Sequence, residues 1–267
     1  MRRAQPVLTA HLIAPLHQEL MQLLAELHPR QWALPTTAGR WTVKDVAAHI
    51  LDGYLRRLSA CRDKAPLSLP RGTSLLSWLN GLNAAWVEAM NRVSPALLID
   101  LLHTAGPQVA AFFEALDPHD RACFPVAWAA DHQTAVWLDT GRDFTEHWHH
   151  QQQIRAAVGA PPLHQPRWLH PVLAISAFAI PLAYASLPHA TVAFDFTGEG
   201  GGHWSLIRGR LHEGHPARPD ALVRLPAATA AALFLKALSP NAARAVAECQ
   251  GDPSRAAPFF QTLALIG

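Results

Sequence analysis

The sequence predicts a two-part α+β chain: a helical bundle over residues 1–162, then a small α/β domain over residues 163–267. Three observations predict it. Long apolar-periodic segments with short connectors fill the first part. A proline-marked stretch around Pro161, Pro162 and Pro166 interrupts that pattern. Beyond it the texture changes to β-rich runs, glycine turns and shorter helical segments. Half of the 267 residues are hydrophobic and 16% are charged, so a sizeable core is available.

Taken in order, residues 11–28 place Leu12, Ile13, Leu16, Leu20, Leu23, Leu24 and Leu27 at helical spacing. A connector with Pro35 and Gly39 follows. Thr42 and Asp45 have capping-box spacing, which predicts a helix starting at Val43. Residues 61–73 are polar and proline-bearing, a loop. Residues 74–93 and 95–116 read as helices, the second open to interruption at Gly106-Pro107. Residues 123–128 form an irregular crossing, and residues 136–158 return to helix. In the second part, residues 168–187 are one apolar helix or a broken pair. Strands are expected at 191–196, 204–208 and 221–225, with a turn at 198–202. Helices are expected at 227–238, 241–249 and 257–266.

Composition bounds the function. A net charge of +2 gives no electrostatic footprint for nucleic acid. Cys61, Cys123 and Cys249 are sparse and odd in number, which does not suit a disulfide framework or a cysteine metal cluster and fits a reducing cytoplasm. His11, His17 and Gln18 break up the N-terminal apolar character, against a signal peptide. Residues 171–187 carry no charge, but they fall short of a span of roughly 20 residues and contain Pro181. A core helix is expected there, and no membrane.

The chemistry concentrates in one stretch, residues 143–159, closed by Gly159. On a helix, Glu146, His149, His150 and Gln153 share one face. Glu146 and His150 are one turn apart and can share a divalent cation, zinc suiting a nitrogen and oxygen donor set best. A solvated, histidine-rich face is the equally weighted reading of the spacing. His49 lies off the apolar stripe of its helix, so periodicity does not aim it at the core. Gly53, one turn on, leaves room for a ligand or marks a close helix contact. Arg142 is either an anion anchor or an ion-paired arginine. Arg208, Arg210 and Arg224 read as edge charges, and Trp128, Trp137 and Trp148 as packing.

Trp32, Pro35-Thr36 and the run from Gly39 to His49 (GRWTVKDVAAH) resemble the opening helix region of the mycothiol-dependent maleylpyruvate isomerases, within the DinB-like superfamily of metal-binding four-helix bundles. The pair Glu146 and His150 resembles the family's second motif, a glutamate, three residues, then a histidine. The segment Gly200-Gly201-Gly202-His203-Trp204 with Gly251-Asp252 is similar to its sterol-carrier-like C-terminal α/β domain. The resemblance implies metal ligands His49, Glu146 and His150, on zinc or a similar divalent ion, with open positions for water or a thiol. It implies a low-molecular-weight thiol cofactor such as mycothiol and a small electrophilic substrate, in a monomer or homodimer. The implied reaction is thiol addition to an activated double bond, rotation, then elimination; plain S-transfer uses the same apparatus. Family members often carry an aspartate where this chain has Gln153, and His147 and His149 stand beside the motif as rival ligands. A second expectation is a non-enzymatic metal-binding bundle fused to a ligand- or lipid-carrying domain.

Overall fold

The computed structural model describes residues 1–129 and 134–265. The chain divides into two compact units. One gathers Leu8–Cys123 and Glu146–Pro162; the other gathers Met1–Val7, Phe124–Thr145 and Leu163–Ile266.

The first unit is helical. Helix α1 (Ala10–Ala25) buries Ile13, Leu16, Leu20, Leu23 and Leu24, the expected stripe. Helix α2 (Val43–Arg57) begins where the capping box predicts. Thr42 Oγ1 accepts from the Asp45 amide at 3.3 Å, and the Asp45 carboxylate accepts from the Thr42 amide at 2.9 Å. Such a cap contributes about 1 kcal/mol. Helix α2 runs into a wide π-helical turn at Leu58–Arg62. Ser74 and Ser94 then cap α3 (Leu75–Met90) and α4 (Pro95–Glu114).

Helix α4 passes unbroken through Gly106-Pro107. Glycine there serves a contact: a Cβ on Gly106 would lie 2.3 Å from the His17 ring on α1. Over its twenty residues α4 is long and apolar enough to cross a membrane by length and composition alone, with 39% of its most apolar window buried. Helix α5 (Val136–Val158) ends as expected. Gly159 takes φ of 72°, and the Ala160 amide donates back to the Arg155 carbonyl at 2.9 Å.

One sequence expectation fails here. Cys61 and Cys123 form a disulfide, their Cα atoms 5.8 Å apart, and only Cys249 is a free, exposed thiol among the described residues. The end of α2 and the segment after α4 meet in space across 62 residues of sequence, which spacing alone does not reveal. The cysteine count therefore no longer argues for a reducing compartment.

In the second unit the apolar stretch is broken, as its prolines allow: α6 (Pro166–Ser176), a 3₁₀ turn at Ala177–Ala179 and α7 (Ile180–Ala183). Val172, Leu173, Ile175 and Ile180 are fully buried, so this stretch is core. Among the described residues the sheet has six strands in the order β1-β4-β3-β2-β5-β6. They are β1 (Arg2–Arg3), β2 (Thr191–Thr197), β3 (Gly202–Ile207), β4 (Arg210–Glu213), β5 (Ala221–Pro226) and β6 (Glu248–Gly251). Only β2 and β5 pair in parallel; the other neighbours are antiparallel. Phe194 of β2 stacks on Phe259, and Phe196 packs tilted against Phe259 and edge-on against Phe234 of α8 (Ala227–Phe234).

Three strands were not expected. β1 and β4 are too short to show alternation, and β6 occupies the end of a segment read as helix. That helix stops at Val246 (α9, Pro240–Val246). The C-terminal helix expected at 257–266 is a short α10 (Pro253–Ala256) and a 3₁₀ turn at Ala257–Gln261, followed by extended chain; residue 266 lies outside the described residues. Pro253 and Pro258 occupy the first positions of short turns and do not support a continuous helix.

Candidate metal centre

Within the helical unit α2 and the C-terminal half of α5 face each other through aromatic rings. Tyr54 meets His147 with ring centroids 4.8 Å apart, and His49 meets His150 edge-on at 4.7 Å. The face of α5 that spacing left open to water is not solvated: His147, His149 and Gln153 are buried, and Glu146 and His150 are half-buried.

His49 is half-buried nearly two turns into α2, with the Trp41 ring 4.9 Å away. Its Nδ1 is buried and has no hydrogen-bond partner. A polar nitrogen in that condition carries a desolvation cost unless something binds it. Burial, followed by the neighbouring His150, Arg56 and His147, holds the His49 imidazole well below its usual pKa. It is therefore neutral at neutral pH and its lone pair is available.

His150 Nε2 lies 3.6 Å from Glu146 Oε2. Its other nitrogen, Nδ1, is 2.9 Å from the Gln153 side-chain carbonyl. A carbonyl oxygen only accepts, so Nδ1 carries the hydrogen and Nε2 the lone pair. The Gln153 amide nitrogen is in turn 2.9 Å from His149 Nε2, which accepts from it. One glutamine thus fixes two imidazoles: it turns a lone pair of His150 toward Glu146 and occupies the one on His149 Nε2. Burial lowers the pKa of both, to about 3 for His149; the Gln153 hydrogen bond partly opposes the effect at His150.

His49, Glu146 and His150 are brought together by these contacts. They are not the tightest histidine and carboxylate trio, however. Among the described residues the group whose ligand atoms all lie within 4.8 Å of one another is Asp195, His203 and His215. The sequence offered little signal for that trio: one acidic residue inside an aromatic strand and two histidines on either side of a hairpin.

The other candidates resolve more simply. Arg142 pairs with Asp139 at 2.6 Å and Asp143 at 2.9 Å. Arg224 pairs with Asp195 and Glu248. Arg208 occupies the β3–β4 turn with φ of 49°, and Arg210 opens β4 on the surface. Trp128 and Trp148 are buried, and Trp137 packs on Phe178 at 5.0 Å. A Cβ on Gly53 would sit 3.9 Å from His147 Nε2, an ordinary contact, so no close approach demands glycine there.

The family profile described as the mycothiol maleylpyruvate isomerase N-terminal domain matches residues 13–155. No curated protein matches the chain. Two solved structures resemble it. One is the crystal structure of the mycothiol-dependent maleylpyruvate isomerase, with 11% identity, TM-score 0.50, 84% of this chain and 85% of that chain covered. The other is a histidine-to-alanine mutant of a mycothiol-dependent maleylpyruvate isomerase, with 10% identity, TM-score 0.48 and the same coverage. At 11% identity the first likeness speaks to the fold alone.

Proposed function

The chain belongs to the mycothiol maleylpyruvate isomerase N-terminal domain family, and on that premise we propose that it is a metal-dependent, thiol-using enzyme. The class is a thiol-dependent isomerase or S-transferase acting on a small electrophilic substrate. The proposed ligands are His49, Glu146 and His150. The observation that carries this is the pairing of a partnerless buried Nδ1 on His49 with a His150 whose Nε2 is freed by Gln153 and faces Glu146. Two nitrogens and one carboxylate make a donor set that zinc accepts.

A divalent cation bound there would favour the thiolate form of a thiol near neutral pH. The chain's own residues do the rest. Glu146 offsets part of the cation's charge. Gln153 orients His150 and keeps its proton at Nδ1, the outer-shell support that ligand histidines require. His149 does not compete through Nε2, because that atom already accepts the Gln153 amide. Trp41 packs against His49 on the side that faces the connector before α2.

Metal analysis of the purified protein and of three variants tests the ligand set. His150→Ala removes the zinc held at this centre and lowers the stoichiometry by one equivalent, since two remaining ligands rarely hold a labile ion tightly. Unchanged zinc stoichiometry refutes the assignment. Loss in His149→Ala with retention in Glu146→Gln replaces it by a three-histidine site. A protein that binds metal but ignores every thiol and electrophile is a binding module fused to a carrier domain.

A further inference from the structure

We propose that the sheet of the second unit carries a separate zinc-type cation site on Asp195, His203 and His215. It shares no residue with the α2–α5 centre and does not rest on the function proposed above.

The strand register builds it. Asp195 on β2 is paired across the antiparallel ladder with His203 on β3 and across the parallel ladder with Arg224 on β5. Directly paired residues project to the same face of a sheet. Phe194 and Phe196, one position either side, project to the opposite face and fill the aromatic core. An acidic side chain therefore stands on the outer face with an imidazole on one flank and a guanidinium on the other. His215, from the loop after β4, brings its ring to 4.7 Å from that of His203. The three ligand atoms then lie within 4.8 Å of one another.

Hydrogen bonds prepare the donors. His215 Nε2 is 3.2 Å from the Phe194 carbonyl, which only accepts. The hydrogen is on Nε2, and Nδ1 holds the lone pair, the arrangement that an outer-shell carbonyl imposes on ligand histidines. Arg224 Nε donates to Asp195 Oδ2 at 2.7 Å, which leaves Oδ1 to face His203 Nδ1 at 3.0 Å. Glu248 lies 3.4 Å from Arg224 and offsets its charge. Without a cation, His203 Nδ1–H donates to Asp195. With one, the proton sits on the His203 Nε2, and Nδ1 and Oδ1 both turn to the ion. The side chain of His203 is 61% exposed, so water can carry that exchange, and no net proton is released.

Two imidazole nitrogens and one carboxylate oxygen select zinc or a similar transition ion over magnesium or calcium, which take all-oxygen shells. The His203–Asp195 contact alone is an ordinary hydrogen bond; a ring nitrogen of His215 within 4.8 Å of both ligand atoms is what a hydrogen-bond reading leaves unused.

The test counts bound zinc after equilibrium dialysis. In a His49→Ala/His150→Ala protein, one equivalent of zinc remains, magnesium does not replace it, and adding His215→Ala weakens binding by more than ~100-fold. If the double variant retains no zinc, or retains it equally after His215→Ala, the site does not exist. If the double variant does not fold, His215→Ala alone decides. His215 is exposed, and the replacement lowers the zinc stoichiometry by one equivalent; no change overturns the proposal. Unaltered stoichiometry in His49→Ala/His150→Ala would instead refute the α2–α5 ligands, while His215→Ala still judges this site.

Discussion

Replacing Gln153 by leucine keeps the side chain's approximate size and removes both hydrogen bonds that set His150 and His149. The Gln153 carbonyl is 2.9 Å from His150 Nδ1 and its amide 2.9 Å from His149 Nε2. Loss of an outer-shell partner typically costs 10–100-fold in metal affinity, or about 1.4–2.7 kcal/mol. The metal-free protein also suffers. Two imidazole nitrogens in a buried setting lose their partners, at about 1–3 kcal/mol for each group left unsatisfied. Competitive titration of zinc against a chromogenic chelator reads the first effect, and urea unfolding of the metal-free protein reads the second. Gln153→Glu separates them. It still accepts from His150 Nδ1, so zinc affinity recovers to near the parent value, while His149 must place its hydrogen on Nε2 to meet the new oxygen. If Gln153→Leu binds zinc within about a factor of two of the parent, against the outer-shell expectation, then His150 is not oriented for a metal and the centre has been misread.

Two further predictions concern stability. Reduction of the Cys61–Cys123 bond, or Cys61→Ser, lowers unfolding free energy by up to about 4 kcal/mol from the loop entropy of a 62-residue separation; an unchanged urea midpoint in reductant would show that the pair is not formed in solution. Burial, then His103, holds His17 near a pKa of about 4 in the folded state. The unfolded chain binds that proton first, so stability is fully present above about pH 6.5 and falls by about 3 kcal/mol as pH drops toward 4; His17→Leu should flatten that part of the stability curve, and an identical slope in the variant would contradict it.

How legible this was in the sequence varies with the physics of each element. Helix α2 was readable to its first residue because Thr42 and Asp45 encode a local, self-contained cap. Helix α5 was readable because Gly159 supplies the left-handed stop. The strands β1 and β4 were not, since a few residues cannot display an alternating pattern and owe their pairing to distant partners. The disulfide was invisible for the same reason. At the centre, helical spacing placed Glu146, His150 and Gln153 together, and it did so correctly as geometry. It could not say that the face is buried, because α5 is polar and its burial depends on what packs around it. His49 is the clearest case. Its position off the apolar stripe argued for the surface, and only family resemblance raised it; in the fold its ring meets His150, and its Nδ1 is buried without a partner.

The central claim is that this centre binds a thiol through a metal held by nitrogen and oxygen ligands alone. Cobalt substitution followed by thiol addition tests it most directly, with Cys249→Ser included because that thiol is free and exposed. The account predicts an intense sulfur-to-metal charge-transfer band on adding a mycothiol-like, bacillithiol-like or glutathione-like compound. The band should survive Cys249→Ser, disappear in His150→Ala, and grow as pH rises toward the free thiol's pKa because binding releases a proton. A cobalt-loaded protein whose spectrum is indifferent to all three thiols would contradict it.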